Sequence, residues 1–349
     1  MTGAATSARP LRVAVLSFAH THARSYLSYL AERDDVAIMT SDPDGAASGD
    51  DEPRGAEFAE LYGASYVETY EEALAWGPDA VIVCSENVRH RSVVELAAAA
   101  GAHILCEKPL ATTVEDAEAM VRATDAAGVI LMTAYPVRFS PAFETLRQLV
   151  VSGRIGEILA ASGTNNGHMP LAERAWFTDP ALSGGGSLVD HVVHCADLLY
   201  ALVPHSISSV RAVTNRILHA ENQVDVETGG IVSLRYENGI VATIDCSWSH
   251  ADTAPNWGSL TLTVVGTKGT VTIDPFAERV GGYGASGPVW LSYGPDLDGA
   301  MIGEFLAAVR EGRSPQPDGA AGLHTVRVMV AAQRSAAAGE PVRLAAVAR

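Results

Sequence analysis

Glu107-Lys108-Pro109 puts a carboxylate and an amine at the end of an apolar run, Ala102-His103-Ile104-Leu105-Cys106. That run reads as a short buried strand, and buried charge is costly unless it is paired or used. Lysine shifts its pKa readily when desolvated, which suits it to moving protons. A strand-end salt bridge is the competing explanation. A second cluster stands at Asp190 and His194. Residues four apart share a helix face. A carboxylate beside an imidazole raises its basicity and fixes its tautomer, which fits a general base near neutral pH. Leu188, Val189, Val192, Val193 and Leu198 surround the pair, so this helix reads as largely buried. Asp190 with His191 and His194, or His20 with His22, could begin a metal site, but neither group has a further ligand at a helpful spacing, and no metal is expected.

These groups need a frame. Over the first part of the chain, short apolar segments alternate with helical ones. Strands are expected at 11–16, 36–40, 66–67, 80–84, 104–106 and 129–133. Helices are expected at 21–33, 53–62, 71–76, 91–100 and 113–127. Thr113 with Asp116 resembles a capping box. This alternation predicts an α/β fold with a doubly wound parallel sheet. Ligands of such sheets bind outside the carboxyl ends of the strands, and nucleotides at the turn after the first. Lys108 ends the fifth strand and therefore lies on that edge.

The nucleotide turn lacks its usual residues. Where G-x-G-x-x-G is expected, the chain has Ser17-Phe18-Ala19-His20-Thr21-His22. Ser17 and Ala19 are small enough to approximate the first two glycines, whereas His22 must point away or the helix must shift. The helix N-terminus remains an anion site built from amides and dipole. Thr21 and a histidine could add hydrogen bonds to phosphate. Asp42, at the end of the second strand, stands where a carboxylate accepts the adenosine ribose hydroxyls. That placement favours NAD over NADP, because a 2′-phosphate would be repelled. Turn chemistry in Ser41-Asp42-Pro43-Asp44-Gly45 is the other reading of this aspartate.

From Ile155 onward strands dominate, at 157–165, 210–217, 230–236, 240–248, 259–265 and 269–273. Helices are expected at 186–202, 301–311 and 324–338. This pattern predicts a second, α+β domain with a large, mostly antiparallel open sheet. The division falls at 1–134 and 135–349. An exposed face of that sheet would be an oligomer surface.

Composition removes other classes. Acidic residues outnumber basic ones 41 to 24, which argues against nucleic acid. No apolar run approaches the length of about 18 residues that a membrane helix needs. Residues 1–10 show no apolar core of a secretory signal. Cys84, Cys106, Cys195 and Cys246 have no paired spacing, which fits free thiols in a reducing cytoplasm. Residues 41–55, rich in Asp, Gly and Ala, read as a loop.

The chain resembles the glucose–fructose oxidoreductase / inositol dehydrogenase (Gfo/Idh/MocA) family from end to end. The strongest marks are Glu107-Lys108-Pro109-Leu110-Ala111 and Gly184-Gly185-Gly186-Ser187-Leu188-Val189-Asp190 with His194. Arg138-Phe139-Ser140-Pro141-Ala142, Gly153-Arg154-Ile155-Gly156 and Gly266-Thr267-Lys268-Gly269 support them, as do Asn87 and His90. The resemblance implies an NAD(P)-dependent oxidoreductase acting on a hydroxyl of a sugar, cyclitol or related polyol. It implies that Lys108 sits beside the nicotinamide and the reacting hydroxyl, that His194 is the base, and that Asp190 orients His194. Ser17, Phe18, Ala19, His20, Thr21, Asp42, Ser85, Asn87, His90 and Glu107 would hold the dinucleotide with Lys108. His168, Arg174, Trp176 and Phe177 are pocket candidates; Arg174 and Trp176 could equally be packing groups. The chain departs from the family in its glycine-free turn, in Glu86 where Pro is frequent, and in Val192 where Gly is frequent. Two other activities fit the resemblance: glycoside cleavage with retained NAD, and non-catalytic sensing. A cytoplasmic homo-oligomer, dimer or tetramer, is expected, with neither nucleic acid nor membrane as partner.

Overall fold

The computed structural model describes residues 9–45, 53–172, 174–251, 253–292 and 294–345. Residues 46–52 of the acidic loop, and 1–8 of the segment scanned for a signal, lie outside the described residues.

Short apolar runs build the first sheet. β1 (Leu11–Leu16), β2 (Val36–Ser41), β3 (Ser65–Val67), β4 (Ala80–Val83), β5 (His103–Cys106) and β6 (Leu131–Thr133) pair in parallel, in the order β3-β2-β1-β4-β5-β6. Every residue of β4 is buried, as a strand covered on both faces requires. The intervening helices are α1 (Ala23–Ala31), α2 (Gly55–Glu60), α3 (Tyr70–Ala75), α4 (His90–Ala99) and α5 (Val114–Ala127). Thr113 caps α5 by accepting the Asp116 amide at 3.1 Å. Helix α1 starts later than residue 21 because residues 20–22 form a turn, in which the His20 carbonyl accepts the Ala23 amide. Strand order reverses between β1 and β4, so the turns after these two strands flank the nucleotide crevice.

The second half supplies α6 (Pro141–Val151), β7 (Ile158–Gly167), α7 (Pro180–Ser183), α8 (Ser187–Leu202), β8 (Ile207–Asn215), β9 (Gly229–Tyr236), β10 (Val241–Asp245), β11 (Gly258–Gly266) and β12 (Gly269–Ile273). It ends in β13 (Arg279–Gly284), β14 (Gly287–Ser292), α9 (Leu297–Glu311), α10 (Gly319–Ala338) and β15 (Val342–Arg343). Seven strands form one sheet in the order β12-β11-β7-β10-β9-β8-β15, antiparallel except for β7 with β10. Strand β9 alternates buried and exposed residues, the mark of a sheet covered on one face. Helix α8 lies on that face. A side chain at Gly163 of β7 would collide with Cys195, its Cβ falling 2.8 Å from the sulfur. The open face exposes Leu159, Val213, Ile231 and Val241.

Five elements exceed the sequence expectation: α6, α7, β13, β14 and β15. Helix α6 begins on Pro141, capped by Ser140, whose hydroxyl accepts the Phe143 amide. β13 and β14 form a separate hairpin, and their glycines and exposed positions conceal any strand pattern. Helix α9 leaves its own half. Its Met301, Ile302, Phe305 and Leu306 share one core with Val13, Val15, Ile82 and Leu105 of the first sheet. Among the described residues, no helix is long and apolar enough to cross a membrane.

Candidate active site

A cavity of about 540 Å³ opens beside the carboxyl ends of β1 and β5, and α8 and α9 contribute to its wall. His20, Thr21, His22 and Lys108 line it from the first half; Asn165, His168, Asp190, His191, His194 and Trp257 line it from the second.

Lys108 stands two residues beyond the end of β5 and enters this space. Its Nζ lies 2.7 Å from Asp190 Oδ1. The other carboxylate oxygen of Asp190 lies 3.1 Å from His191 Nε2 and accepts the Trp248 indole N–H at 3.2 Å. Burial opposes the charge on Asp190, but Lys108 and His191 outweigh it and hold its pKa well below the usual value. The expected Asp190–His194 pairing is therefore absent from the structure. Side chains in a helix lean toward its N-terminus. Asp190 leans toward Lys108 and Trp248, leaving His194 without a hydrogen-bond partner among the described residues. The His194 ring stands edge-on to Tyr135, centroids 5.9 Å apart. Burial, then the charge of Lys108, pushes its pKa well below 6.5. At neutral pH it is an uncharged base facing the cavity.

The start of α8 depends on its three glycines. Gly184 and Gly185 have φ of 81° and 157°, and a Cβ on Gly186 would fall 2.0 Å from the Glu227 carbonyl. Glu227 uses that closeness, since its Oε1 accepts the Gly186 and Leu188 amides at 2.9 and 3.1 Å. The glycines thus let the neighbouring chain cap the helix and fix where Asp190 begins.

Glu107 is fully buried. It accepts hydrogen bonds from the Tyr26 hydroxyl and the Lys108 amide, and its Oε1 lies 3.0 Å from His22 Nδ1. Burial works against charge on His22, yet Glu107 raises its pKa above 6.5. Ligand atoms of His20, His22 and Glu107 lie within 4.8 Å of one another. Tautomer chemistry weighs against a cation there. His20 Nδ1 accepts the His22 amide at 3.2 Å, so the proton of the neutral ring sits on Nε2, the atom a metal would need bare.

The glycine-free turn keeps a glycine-like backbone, for Ser17 has φ of 68°. Asp42 pins this turn. Its carboxylate accepts the Phe18 amide at 3.1 Å, the Gly55 amide at 3.1 Å and two Arg54 N–H groups at 2.7 Å, with Ser17 Oγ at 3.3 Å. Its pKa lies below the usual 3.8, because Arg54 and these amides outweigh burial. Ribose hydroxyls would have to share an oxygen pair already surrounded by donors.

The remaining sequence candidates divide. Ser85 and Asn87 are buried beside the crevice, with Asn87 donating to the Ser183 carbonyl at 2.9 Å. His90 is wholly interior and joins the Pro109 carbonyl at 2.9 Å to that of Ser85 at 3.1 Å, so it fastens the Lys108 turn and does not line the cavity. His168 lines the cavity; Arg174 and Trp176 are buried outside its lining. Trp176 donates to the Ala19 carbonyl at 2.9 Å, and its neighbour Phe177 reaches the cavity. Trp248, Trp257, Asn165 and Asp298 were not foreseen, because they come from remote segments. His191 entered the sequence reading only as a metal candidate, and the structure shows it beside the Asp190 carboxylate.

A dinucleotide fits this crevice. Buried polar atoms with no hydrogen bond gather at the ends of β1, β2 and β4: His20 Nε2, Ser41 Oγ and Asn87 Oδ1, with Glu86 Oε2 held only by Arg89 at 3.6 Å. Buried polar groups are almost always satisfied, so these atoms call for a polar ligand.

A doubly wound sheet with such a crevice, opening onto an amine, a carboxylate and an uncharged imidazole, defines a dinucleotide-dependent oxidoreductase. Residues 19–135 match the oxidoreductase family with an NAD-binding Rossmann fold, and residues 143–272 match the GFO/IDH/MocA C-terminal domain. The chain belongs to this Gfo/Idh/MocA oxidoreductase family, and its first half has the family's NAD-binding Rossmann fold. It is similar to the 1,5-anhydro-D-fructose reductase of Ensifer adhaerens, 29 % identical over 83 % of this chain and 88 % of that one. It is also similar to the trans-1,2-dihydrobenzene-1,2-diol dehydrogenase of Mus musculus, 31 % identical over 65 % of each chain. Among solved structures, GenD2 from gentamicin A biosynthesis in complex with NAD is similar with a TM-score of 0.86, at 25 % identity over 99 % of both chains.

Proposed function

We propose that the protein transfers hydride between NAD and a secondary hydroxyl of a sugar, cyclitol or related polyol. One observation carries the substrate class. His168 Nε2, Asn165 Oδ1 and His191 Nδ1 all line the cavity, all are buried, and none has a partner. A polyhydroxylated ring can give and accept hydrogen bonds at several points at once, whereas an apolar alcohol would leave these atoms orphaned at a cost of about 1–3 kcal/mol each. The names of the similar reductase and dehydrogenase agree with this class.

In this reading His194 takes the hydroxyl proton as the carbon gives up hydride. Its lowered pKa keeps it able to accept that proton at neutral pH. Lys108, held by Asp190, steadies the developing alkoxide. Asp190 is held in turn by His191 and Trp248. Bound NAD supplies the hydride acceptor. Ser85, Asn87 and Glu107 border its crevice, with the turn after β1. Exposed Leu159, Val213, Ile231 and Val241 on the open sheet support self-association through that face. Four buried free cysteines support a reducing, cytoplasmic setting.

The deciding experiment is a panel of sugars and cyclitols with NAD and with NADP, followed by absorbance of the reduced cofactor. Saturable reduction of NAD by at least one polyol is the expected result. Reduction by simple apolar alcohols, with none by polyols, would overturn the substrate class.

A further inference from the structure

The turn after β1, where doubly wound sheets seat a diphosphate, has committed all but one of its backbone donors. In a glycine fingerprint such amides point at the phosphates. Here the Ser17 amide donates to the Ser41 carbonyl at 2.7 Å and the His20 amide to the Cys84 carbonyl at 2.8 Å. The Phe18 amide goes to Asp42 at 3.1 Å, that of Ala19 to Ser17 Oγ at 3.2 Å, and that of His22 to His20 Nδ1 at 3.2 Å. Among the described residues 17–22, only the Thr21 amide has no acceptor. A single helix-terminal N–H is a thin grip for two phosphates.

His20 offers what the backbone withholds. It is 2 % exposed and lines the cavity. Its ring is wedged between His22, centroids 4.2 Å apart, and the edge of Phe177 at 5.4 Å. Trp176 stacks on Phe177 and is itself bonded to the turn through the Ala19 carbonyl. Because Nδ1 takes the His22 amide, the ring proton is committed to Nε2. That N–H makes no hydrogen bond, since the nearest acceptor, Glu107 Oε2, is 3.7 Å away. The charge of Glu107 is already met by His22. A buried, oriented and unsatisfied donor costs free energy until a ligand accepts from it.

We propose that His20 Nε2–H, together with the Thr21 amide at the start of α1, is the diphosphate seat of this protein and replaces the glycine loop. The proposal rests on the reading of the protein as an NAD enzyme. Binding measured without turnover separates the two: a chain that holds ADP-ribose through His20 but oxidises no polyol keeps the seat and loses the function.

The test titrates ADP-ribose and adenosine into the full chain by calorimetry, for the wild type and His20→Phe. Phenylalanine keeps the ring packing and removes the donor. ADP-ribose should bind about ten- to a hundredfold more weakly to His20→Phe, with adenosine unchanged. Unchanged ADP-ribose affinity overturns the seat. So does an equal loss for adenosine, which marks collapse of the turn. A raised KM for the sugar with unchanged ADP-ribose affinity also overturns it and gives His20 to the substrate. A second measurement needs no variant: in the wild-type protein the His20 Nε2–H proton resonance should shift on adding ADP-ribose and not on adding adenosine. No shift, or the same shift with both, overturns the seat even where His20→Phe fails to fold.

Discussion

Asp190 Oδ1 stands 2.7 Å from Lys108 Nζ, so the carboxylate on the first turn of α8 serves the lysine and not the histidine one turn further along. This splits the site into two devices. One is a braced cation formed by Lys108, Asp190, His191 and Trp248; the other is the solitary base His194. Each makes its own prediction.

His194→Ala should lower kcat on the order of 10²–10⁴-fold, the usual worth of a positioned base, with NADH affinity kept. In the oxidative direction the wild-type kcat/KM should stay flat from neutral pH downward past 6.5, because the folded pKa lies well below that value. Protonation then removes the base, so the rate should fall only as pH drops through the lowered pKa. A pH profile of kcat/KM checks this, and an acid limb centred near 6.5 would contradict it.

Asp190→Asn removes the ion pair but keeps the size, leaving Lys108 without its counter-charge. A loss of activity comparable to that of Lys108→Met is expected, since the two act as a unit. His191→Phe tests a positioning residue. It should lower kcat by about tenfold or less. A loss as large as that of His194→Ala would instead place His191 among the reacting groups. Steady-state kinetics across pH separates these outcomes.

Asp42→Asn should destabilise the protein by about 2–3 kcal/mol, because the buried Arg54 guanidinium loses a carboxylate that takes two of its N–H groups. The sign with pH follows from the lowered folded pKa of Asp42. Its stabilising contribution is fully present above the ordinary value of 3.8 and is lost as pH falls through the folded value. Melting curves should therefore show the gap between wild type and Asp42→Asn narrowing below about pH 4.

Gly186→Ala should cost more than about 2 kcal/mol, because the new Cβ would fall 2.0 Å from a backbone carbonyl at Glu227. Gly128→Ala, with no atom within 4 Å of the added carbon, bears only the cost of a positive φ. Denaturant titration of the two variants compares collision with conformational strain alone.

The first sheet was legible because parallel strands buried on both faces leave unbroken apolar runs, such as Ala80–Val83. Lys108, Asp190 and His194 were legible because charge in an apolar setting stands out. The partners of Asp190 were not. Spacing shows that positions 190 and 194 share a helix face, but not that Lys108 and Trp248 arrive from other elements to claim the carboxylate. The turn after β1 was only half legible. Its missing glycines were plain, yet the consumption of its amides depends on Asp42, Ser41 and Cys84, which come from neighbouring strand ends. Trp176 reads equally as a pocket or a packing group, and only the fold shows it bonded to the turn.

Helix α9 closes the first core from the far end of the chain, and one of its residues, Asp298, accepts from Ser25 at 2.6 Å and borders the cavity. The two halves are therefore not interchangeable cassettes. A chimera that grafts residues 1–134 onto another substrate domain would inherit a dinucleotide sheet with one apolar flank bare. Residues 297–311 must travel with the first half, so recombination within this family has to exchange two separated stretches together.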